Sequence, residues 1–136
     1  MSYDPFLSSQ NEAPKAPGMK YKHYAPDAPM RAFIGNPKDV AEAFSNVIRE
    51  QETKCGAFLV SQETYDLLKD SVHGEFHVYG HSGDAVALAH DFYKTLHHFN
   101  ECDVDYILAE GVVNTGLGVA VMNRMEKACA GHIIYL

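Results

Sequence analysis

No stretch of this 136-residue chain approaches the ~20 consecutive apolar residues that a bilayer-crossing helix needs. Met1 is not followed by a charged and then apolar leader, so the expectation is a soluble, cytoplasmic protein with no membrane partner. Cysteine is scarce. Cys55, Cys102 and Cys129 are an odd, widely spaced set without a CxxC pair, which argues against a zinc ribbon or a redox dithiol and for reduced, partly buried thiols. Positive charge is scarce too: 11 Lys and Arg stand against 18 Asp and Glu, a net charge of −7. A broad grip on phosphates needs clustered cations, so direct nucleic-acid binding is not expected. Ser61 and Ser82 lack a G-x-S-x-G elbow, no cysteine carries an activation signature, and no internal repeat is visible. What the length does permit is one domain, which at this size buries about two thirds of the surface its unfolded chain exposes.

Four of the six prolines, Pro14, Pro17, Pro26 and Pro29, lie in the first 29 residues, where neither helical nor alternating periodicity is present. Proline fixes φ and pushes its predecessor out of the α region, so residues 1–29 read as an extended, semi-rigid arm. From Met30 the pattern changes to short apolar runs alternating with amphipathic stretches. "RAFIG" (31–35), "CGAFLVS" (55–61), "EFHVYG" (75–80), "VDYILA" (104–109) and "HIIYL" (132–136) read as strands, the third and most polar of them at an edge. Between them fall a helix opened by Asn36 and Pro37, a short helix over 62–69, a long helix from about Ser82 to Phe99, and a last helix over 117–130 ended by Gly131. The long helix is expected to bury Val86, Ala89, Phe92, Tyr93 and Leu96, and the last one Leu117, Val121, Met125 and Ala128. Strands alternating with helices imply parallel pairing through right-handed crossovers. The fold expected for residues 30–136 is therefore a Rossmann-like α/β three-layer sandwich with a mainly parallel sheet of about five strands.

Eight histidines raise the question of a metal, and spacing decides against the combinations visible along the chain. His73 and His81 would lie roughly 26 Å apart on an extended strand, and His90 and His97 about 10.5 Å apart along a helix. No metal site is expected. Two strand-to-helix turns offer weak anion sites through backbone N–H groups: "GHSGD" (80–84) with Ser82, and "NTGLG" (114–118) with Asn114, Gly116 and Gly118. The second is a poor dinucleotide fingerprint, since Val121 stands where a third glycine belongs. A tight loop that lets the helix pack closely is the simpler reading there, and Ser82 serves as well for a helix cap.

The arm carries more chemistry than the domain. In an extended conformation Lys20, Lys22 and Tyr24 line one side and Tyr21 with His23 the other, offering point charges, stacking surfaces and a group titrating near neutrality. By composition alone the stretch reads more readily as a linker whose tyrosines pack on its own domain.

"APGMKYKHYAP" (16–26) resembles the interdomain linker, S/A-P-G-M-K-Y-x-H-Y-x-P, of long-form threonylcarbamoyl-AMP synthases, and "GLGVAVMNRMEKA" (116–128) resembles the last helix of their carboxyl-terminal domain. The resemblance spans essentially the whole chain. It implies an accessory α/β domain and its linker, with the YrdC-type catalytic domain of roughly 200 residues lying outside these residues. The family joins L-threonine, bicarbonate and ATP, with magnesium, into threonylcarbamoyl-adenylate and pyrophosphate for tRNA threonylcarbamoyladenosine formation. The resemblance further implies that the linker crosses the mouth of the catalytic cleft, making Lys20, Tyr21, His23 and Tyr24 candidates to touch nucleotide or carbamoylated threonine. It implies that the 136 residues hold no cofactor and no activity alone. At the end of the long helix His97 and Asn100 depart from the family pattern of an arginine followed by an aspartate. The rival reading is an independent regulatory domain that senses a nucleotide or anion at the strand-end loops.

Overall fold

The computed structural model describes residues 26–136. Five strands, β1 (Met30–Ile34), β2 (Gly56–Val60), β3 (Glu75–Val78), β4 (Tyr106–Glu110) and β5 (Ile133–Tyr135), alternate with four helices, α1 (Pro37–Glu50), α2 (Gln62–Leu68), α3 (Ala85–Glu101) and α4 (Gly118–Ala128). The sheet runs β3-β2-β4-β1-β5, and every neighbouring pair is parallel. β3 is an edge strand, as its polar sequence predicts.

Alternation along the strands sorts the core into two layers. Phe33, Phe58, Val60, Tyr106 and Leu108 meet Val40, Ala41, Phe44 and Val47 of α1 and Leu68 of α2 on one face. Ala32, Ile34, Ala57, Leu59, Ile107 and Ala109 meet Leu88, Phe92, Leu96 and Phe99 of α3 and Val121, Met122 and Met125 of α4 on the other. Small residues lie under the second pair of helices and aromatics under the first, where Phe58 stands 5.0 Å from Phe76 and 6.1 Å from Phe44, ring centre to ring centre. The chain moves across the sheet one way through α1 and α2 and returns through α3 and α4. Right-handed crossovers therefore place each pair on its own face.

Local chemistry sets the boundaries. Asn36 caps α1 by accepting the Asp39 N–H at 2.9 Å, with Pro37 in the first turn. Ser61 caps α2 through the Thr64 N–H at 3.3 Å. β4 begins two residues later than its sequence suggests because Asp105 is otherwise engaged: its N–H reaches the Cys55 carbonyl and its carboxylate accepts the Cys55 N–H, both at 2.8 Å. α4 ends one position before the expected Gly131: Ala130, at φ +51°, follows the Cys129 cap and donates its N–H to the Lys127 carbonyl, while Gly131, at φ +84°, donates to the Glu126 carbonyl.

Two helix faces differ from expectation. α3 buries Leu88, Phe92, Thr95, Leu96 and Phe99, while Val86 and Ala89 are exposed and Tyr93 is about one-third exposed. The seam follows i, i+4, i+7, i+8 and i+11 from Leu88. Val86, Ala89 and Tyr93 form a neighbouring stripe that is apolar but outside it. Leu117, expected inside, is 76% exposed because α4 starts one residue later and its seam runs through Gly118, Val121, Met122, Met125 and Ala128.

Candidate functional site

In a parallel α/β sheet the ligand crevice lies outside the carboxyl ends of the strands, where neighbouring connections leave toward opposite faces. Here that rim carries both loops singled out in the sequence. The Ser82 N–H is directed at the Glu63 carboxylate, 2.9 Å away, which also pairs with His81 at 3.4 Å. The Ser82 N–H bond, then a bond from its own backbone, then the His81 contact hold the Glu63 carboxyl below its ordinary range. Ser82 does not cap α3. Asp84 does, accepting the Ala87 N–H at 3.0 Å, so an anion entering this turn meets two carboxylates.

The Asn114–Gly118 loop is likewise self-satisfied at the helix start. The Gly118 N–H donates to the Thr115 carbonyl and the Val119 N–H to the Gly116 carbonyl. Gly116, at φ +55° in open space, is there for its conformation. Gly118 is there for its lack of a side chain: a Cβ would lie 2.1 Å from the Val113 carbonyl oxygen. The close-packing reading of this loop fits these distances, and the Gly118 and Val119 N–H groups are turned inward to the loop's own carbonyls.

The crevices themselves are filled. Between β2 and β4, Glu110 is 1% exposed and its carboxylate accepts the Ser61 N–H at 2.8 Å, closing the gap where the two connections part. Between β4 and β1, the space beside Gly111 is taken by the Met122 sulfur and methyl and by Ile34, each about 3 Å from where a Cβ would stand. The Tyr79 hydroxyl is buried next to this rim with no hydrogen-bond partner among the described residues. Burial first, then the charges of Glu110, Glu63 and Asp84, drive its pKa far upward, so it stays a neutral phenol. Neither Glu110 nor Tyr79 was legible as a site residue, since Glu110 falls just beyond the strand read as "VDYILA" and "EFHVYG" reads as a plain strand. An acidic residue closing an otherwise apolar, fully buried strand was the available signal.

The opposite, amino-end rim receives the arm. The Asp27 N–H donates to the Asn100 side-chain oxygen at 3.0 Å, and the Pro29 carbonyl accepts the Ile107 N–H at 2.9 Å, which ties the arm's root to the end of α3 and the start of β4. Asn100, one of the two positions that depart from the family pattern, thus holds the chain where it enters the domain. Lys20, Tyr21, His23 and Tyr24 lie outside the described residues. Ser82 and the Asn114–Gly118 loop sit on the far rim from the arm's point of entry. Also on the amino-end rim, Glu75, His98 and Cys102 present one donor atom each within 4.8 Å of one another. Desolvation and the Glu75 carboxylate raise the Cys102 thiol pKa. Burial alone raises Cys129 to about 12, which leaves it an inert core residue, while Cys55 is exposed.

A family model described as "Threonylcarbamoyl-AMP synthase, C-terminal domain" matches residues 3–130. The chain belongs to the threonylcarbamoyl-AMP synthase carboxyl-terminal domain family. It is 38% identical over 134 residues to the threonylcarbamoyl-AMP synthase of Bacillus subtilis, covering 96% of this chain and 36% of that protein. With the Pyrococcus abyssi enzyme it shares 40% identity over 124 residues, 88% of this chain and 33% of that one. The chain therefore spans about a third of the length of the curated relatives it matches. Among solved structures, Pyrococcus abyssi Sua5 complexed with L-threonine is similar at TM-score 0.65 and 33% identity, over 94% of this chain and 36% of that one. The carboxyl-terminal Sua5 domain from Pyrococcus horikoshii is similar at TM-score 0.58 and 28% identity, over 82% of this chain and all of that one. The α/β sandwich expected from the sequence is thus the fold of the family's carboxyl-terminal domain. Among the described residues no helix is long and apolar enough to cross a membrane.

Proposed function

We propose that these residues are the accessory domain and substrate-covering linker of a threonylcarbamoyl-AMP synthase, which works in cis with a YrdC-type catalytic domain in the cytoplasm. The parent reaction is the joining of L-threonine, bicarbonate and ATP, with magnesium, into threonylcarbamoyl-adenylate and pyrophosphate, for tRNA modification. The observation that carries this reading is the extent of the family match, which runs from residue 3 through the proline-rich arm and on to residue 130. The P. abyssi protein has been solved with L-threonine, and also as a form with alanine in place of an adjacent histidine and tyrosine. His23–Tyr24 is the one adjacent histidine–tyrosine pair in this sequence.

In this reading the prolines hold the arm extended across the catalytic cleft, where Lys20 supplies charge to phosphate or carboxylate and Tyr21, His23 and Tyr24 cover the reactants. Closure matters because a carbamate and an acyl-adenylate are both lost to water. The α/β domain anchors the arm's root and binds neither ATP nor magnesium itself. Its filled strand-end crevices speak against the rival reading of a nucleotide-sensing domain.

In the full-length enzyme, Tyr21→Ala combined with His23→Ala should lower ATP- and threonine-dependent pyrophosphate release at least tenfold, and the isolated 136-residue chain should release none. Turnover by the isolated chain, or a full-length enzyme indifferent to the double substitution, defeats the proposal. Titration calorimetry of the isolated chain with ATP, AMP and pyrophosphate should show no binding; saturable heat would favour the sensing domain.

A further inference from the structure

The Glu75, His98 and Cys102 cluster has no part in the reading above and lies on the amino-end rim, away from the strand-end crevices. His98 and Cys102 are four residues apart at the end of α3, so both point from one helix face, and Cys102 is the residue that closes the helix. Glu75 opens the edge strand β3, in register with Ala57 of β2. The Cys102 sulfur is 3.5 Å from His98 Nε2, and His98 Nε2 is 3.7 Å from a Glu75 carboxylate oxygen. Tetrahedral zinc with Zn–S of ~2.3 Å and Zn–N and Zn–O of ~2.0–2.1 Å requires a sulfur–nitrogen edge of about 3.6 Å and a nitrogen–oxygen edge of about 3.3 Å. Two of the three edges are therefore already close to the spacing of one coordination shell, and the third, from the Glu75 carboxylate to the Cys102 sulfur, is within 4.8 Å.

We propose that Glu75, His98 and Cys102 form a binding site for a thiophilic divalent cation, Zn²⁺ by ligand type, with the fourth position open to solvent. A thiolate, an imidazole and one carboxylate select zinc over magnesium or calcium, which take all-oxygen shells. A bare His–Glu ion pair at this exposure contributes little and does not require a thiol beside it. All three side chains are reachable from solvent, which gives the ion a path in and lets Cys102 release its thiol proton to water as the metal–sulfur bond forms. The bound ion would clip the free edge strand to the end of α3. The spacing rules applied along the chain overlooked this set because its members come from two elements and only one of them is a histidine.

The test is titration of the metal-free 136-residue chain with Co²⁺, followed by displacement with Zn²⁺. One equivalent should bind with a sulfur-to-cobalt charge-transfer band in the near ultraviolet, and zinc should abolish the band. Cys102→Ser should remove the band, and His98→Ala and Glu75→Gln should each weaken binding by at least about tenfold, given that even outer partners of metal ligands cost 10–100-fold. Cys55→Ser and His97→Ala should change neither. His98→Cys, which keeps a soft donor in place, should restore binding lost in His98→Ala. Zinc should raise the melting temperature of the wild type and leave that of Cys102→Ser unmoved, with circular dichroism reporting that the variants are folded. The proposal is overturned by the absence of saturable binding, by a band that survives Cys102→Ser or depends on Cys55, or by equal zinc stabilisation of wild type and Cys102→Ser.

Discussion

Replacing Gly118 by alanine tests the reading of the β4–α4 loop as a packing device. The added Cβ would stand 2.1 Å from the Val113 carbonyl oxygen, 3.3 Å from its carbon and 3.2 Å from a Val112 methyl. A comfortable carbon–oxygen contact is about 3.3 Å, so the backbone must open by about 1 Å, at the end of a strand flanked by β2 and β1. The shift falls on the 112–117 loop or on α4, whose Val121, Met122 and Met125 are at most 2% exposed. Overpacking of this kind costs about 1–3 kcal/mol, offset by at most ~1 kcal/mol from replacing glycine in a helical position. A net loss of about 2 kcal/mol corresponds to a fall of roughly 8 °C in Tm for a domain near 100 residues. The assay is urea unfolding with a fixed m-value, beside Gly116→Ala. At Gly116 the space is open and φ is +55°, so alanine there pays only the left-handed penalty of about 1 kcal/mol. If Gly118→Ala is as stable as wild type, or Gly116→Ala is the worse of the two, close approach is not what glycine provides at 118.

Glu110→Ala leaves the buried Ser61 N–H without its acceptor and opens a void, so it should lose about 2–4 kcal/mol in urea unfolding, whereas Glu110→Gln keeps an acceptor and should lose less than half as much. Phe58→Ala, which empties the centre of the aromatic layer, should cost about 3–5 kcal/mol, a large fraction of an ordinary domain's stability, visible as a collapse of the denaturation midpoint. Asp91 accepts from His77 at 2.8 Å and from His90 at 2.9 Å, and these two contacts lower its pKa, His77 first. A carboxyl with a depressed folded pKa contributes stability that is complete above its unfolded value of ~3.9 and fades as the pH falls through the folded value. The stability gap between wild type and Asp91→Asn should therefore be present at pH 5 and close in stronger acid. A gap that widens below pH 4 would refute the assignment.

Periodicity carried the order of elements, the parallel pairing and the edge position of β3, because burial on both faces writes continuous apolar runs into β2 and β4 and a polar mixture into β3. It assigned the α3 face only in part: Phe92 and Leu96 are buried as expected, but Val86, Ala89 and Tyr93 make a second apolar stripe and sequence alone does not rank two stripes. Leu117 was misplaced by a single residue of helix register. The strand-end turns were located in sequence, but their chemistry was not: whether Ser82 offers a free N–H depends on Glu63, nineteen residues away. The cluster of Glu75, His98 and Cys102 was invisible for the same reason, since its spacing exists only after β3 and α3 pack together.

The distribution of these groups bears on what the domain does. A sheet of this order has connections leaving to opposite faces at β3/β2, where the Gln62 N–H donates across to the Gly80 carbonyl, at β2/β4 and at β4/β1, the positions where an α/β protein ordinarily admits a nucleotide. Here Glu110 occupies the β2/β4 gap and Met122, seated against Gly111, the β4/β1 gap. Reopening either would mean stripping a buried hydrogen bond or a core methionine. Closed gaps of this kind fit the anchoring role proposed above. The arm's root is fastened to the domain at the other rim, by Asn100 on the Asp27 N–H and by the Ile107 N–H on the Pro29 carbonyl. Two fixed points a few residues apart, at Asp27 and Pro29, set the direction in which the chain joins the domain, and direction is what the proposed covering role requires of its anchor.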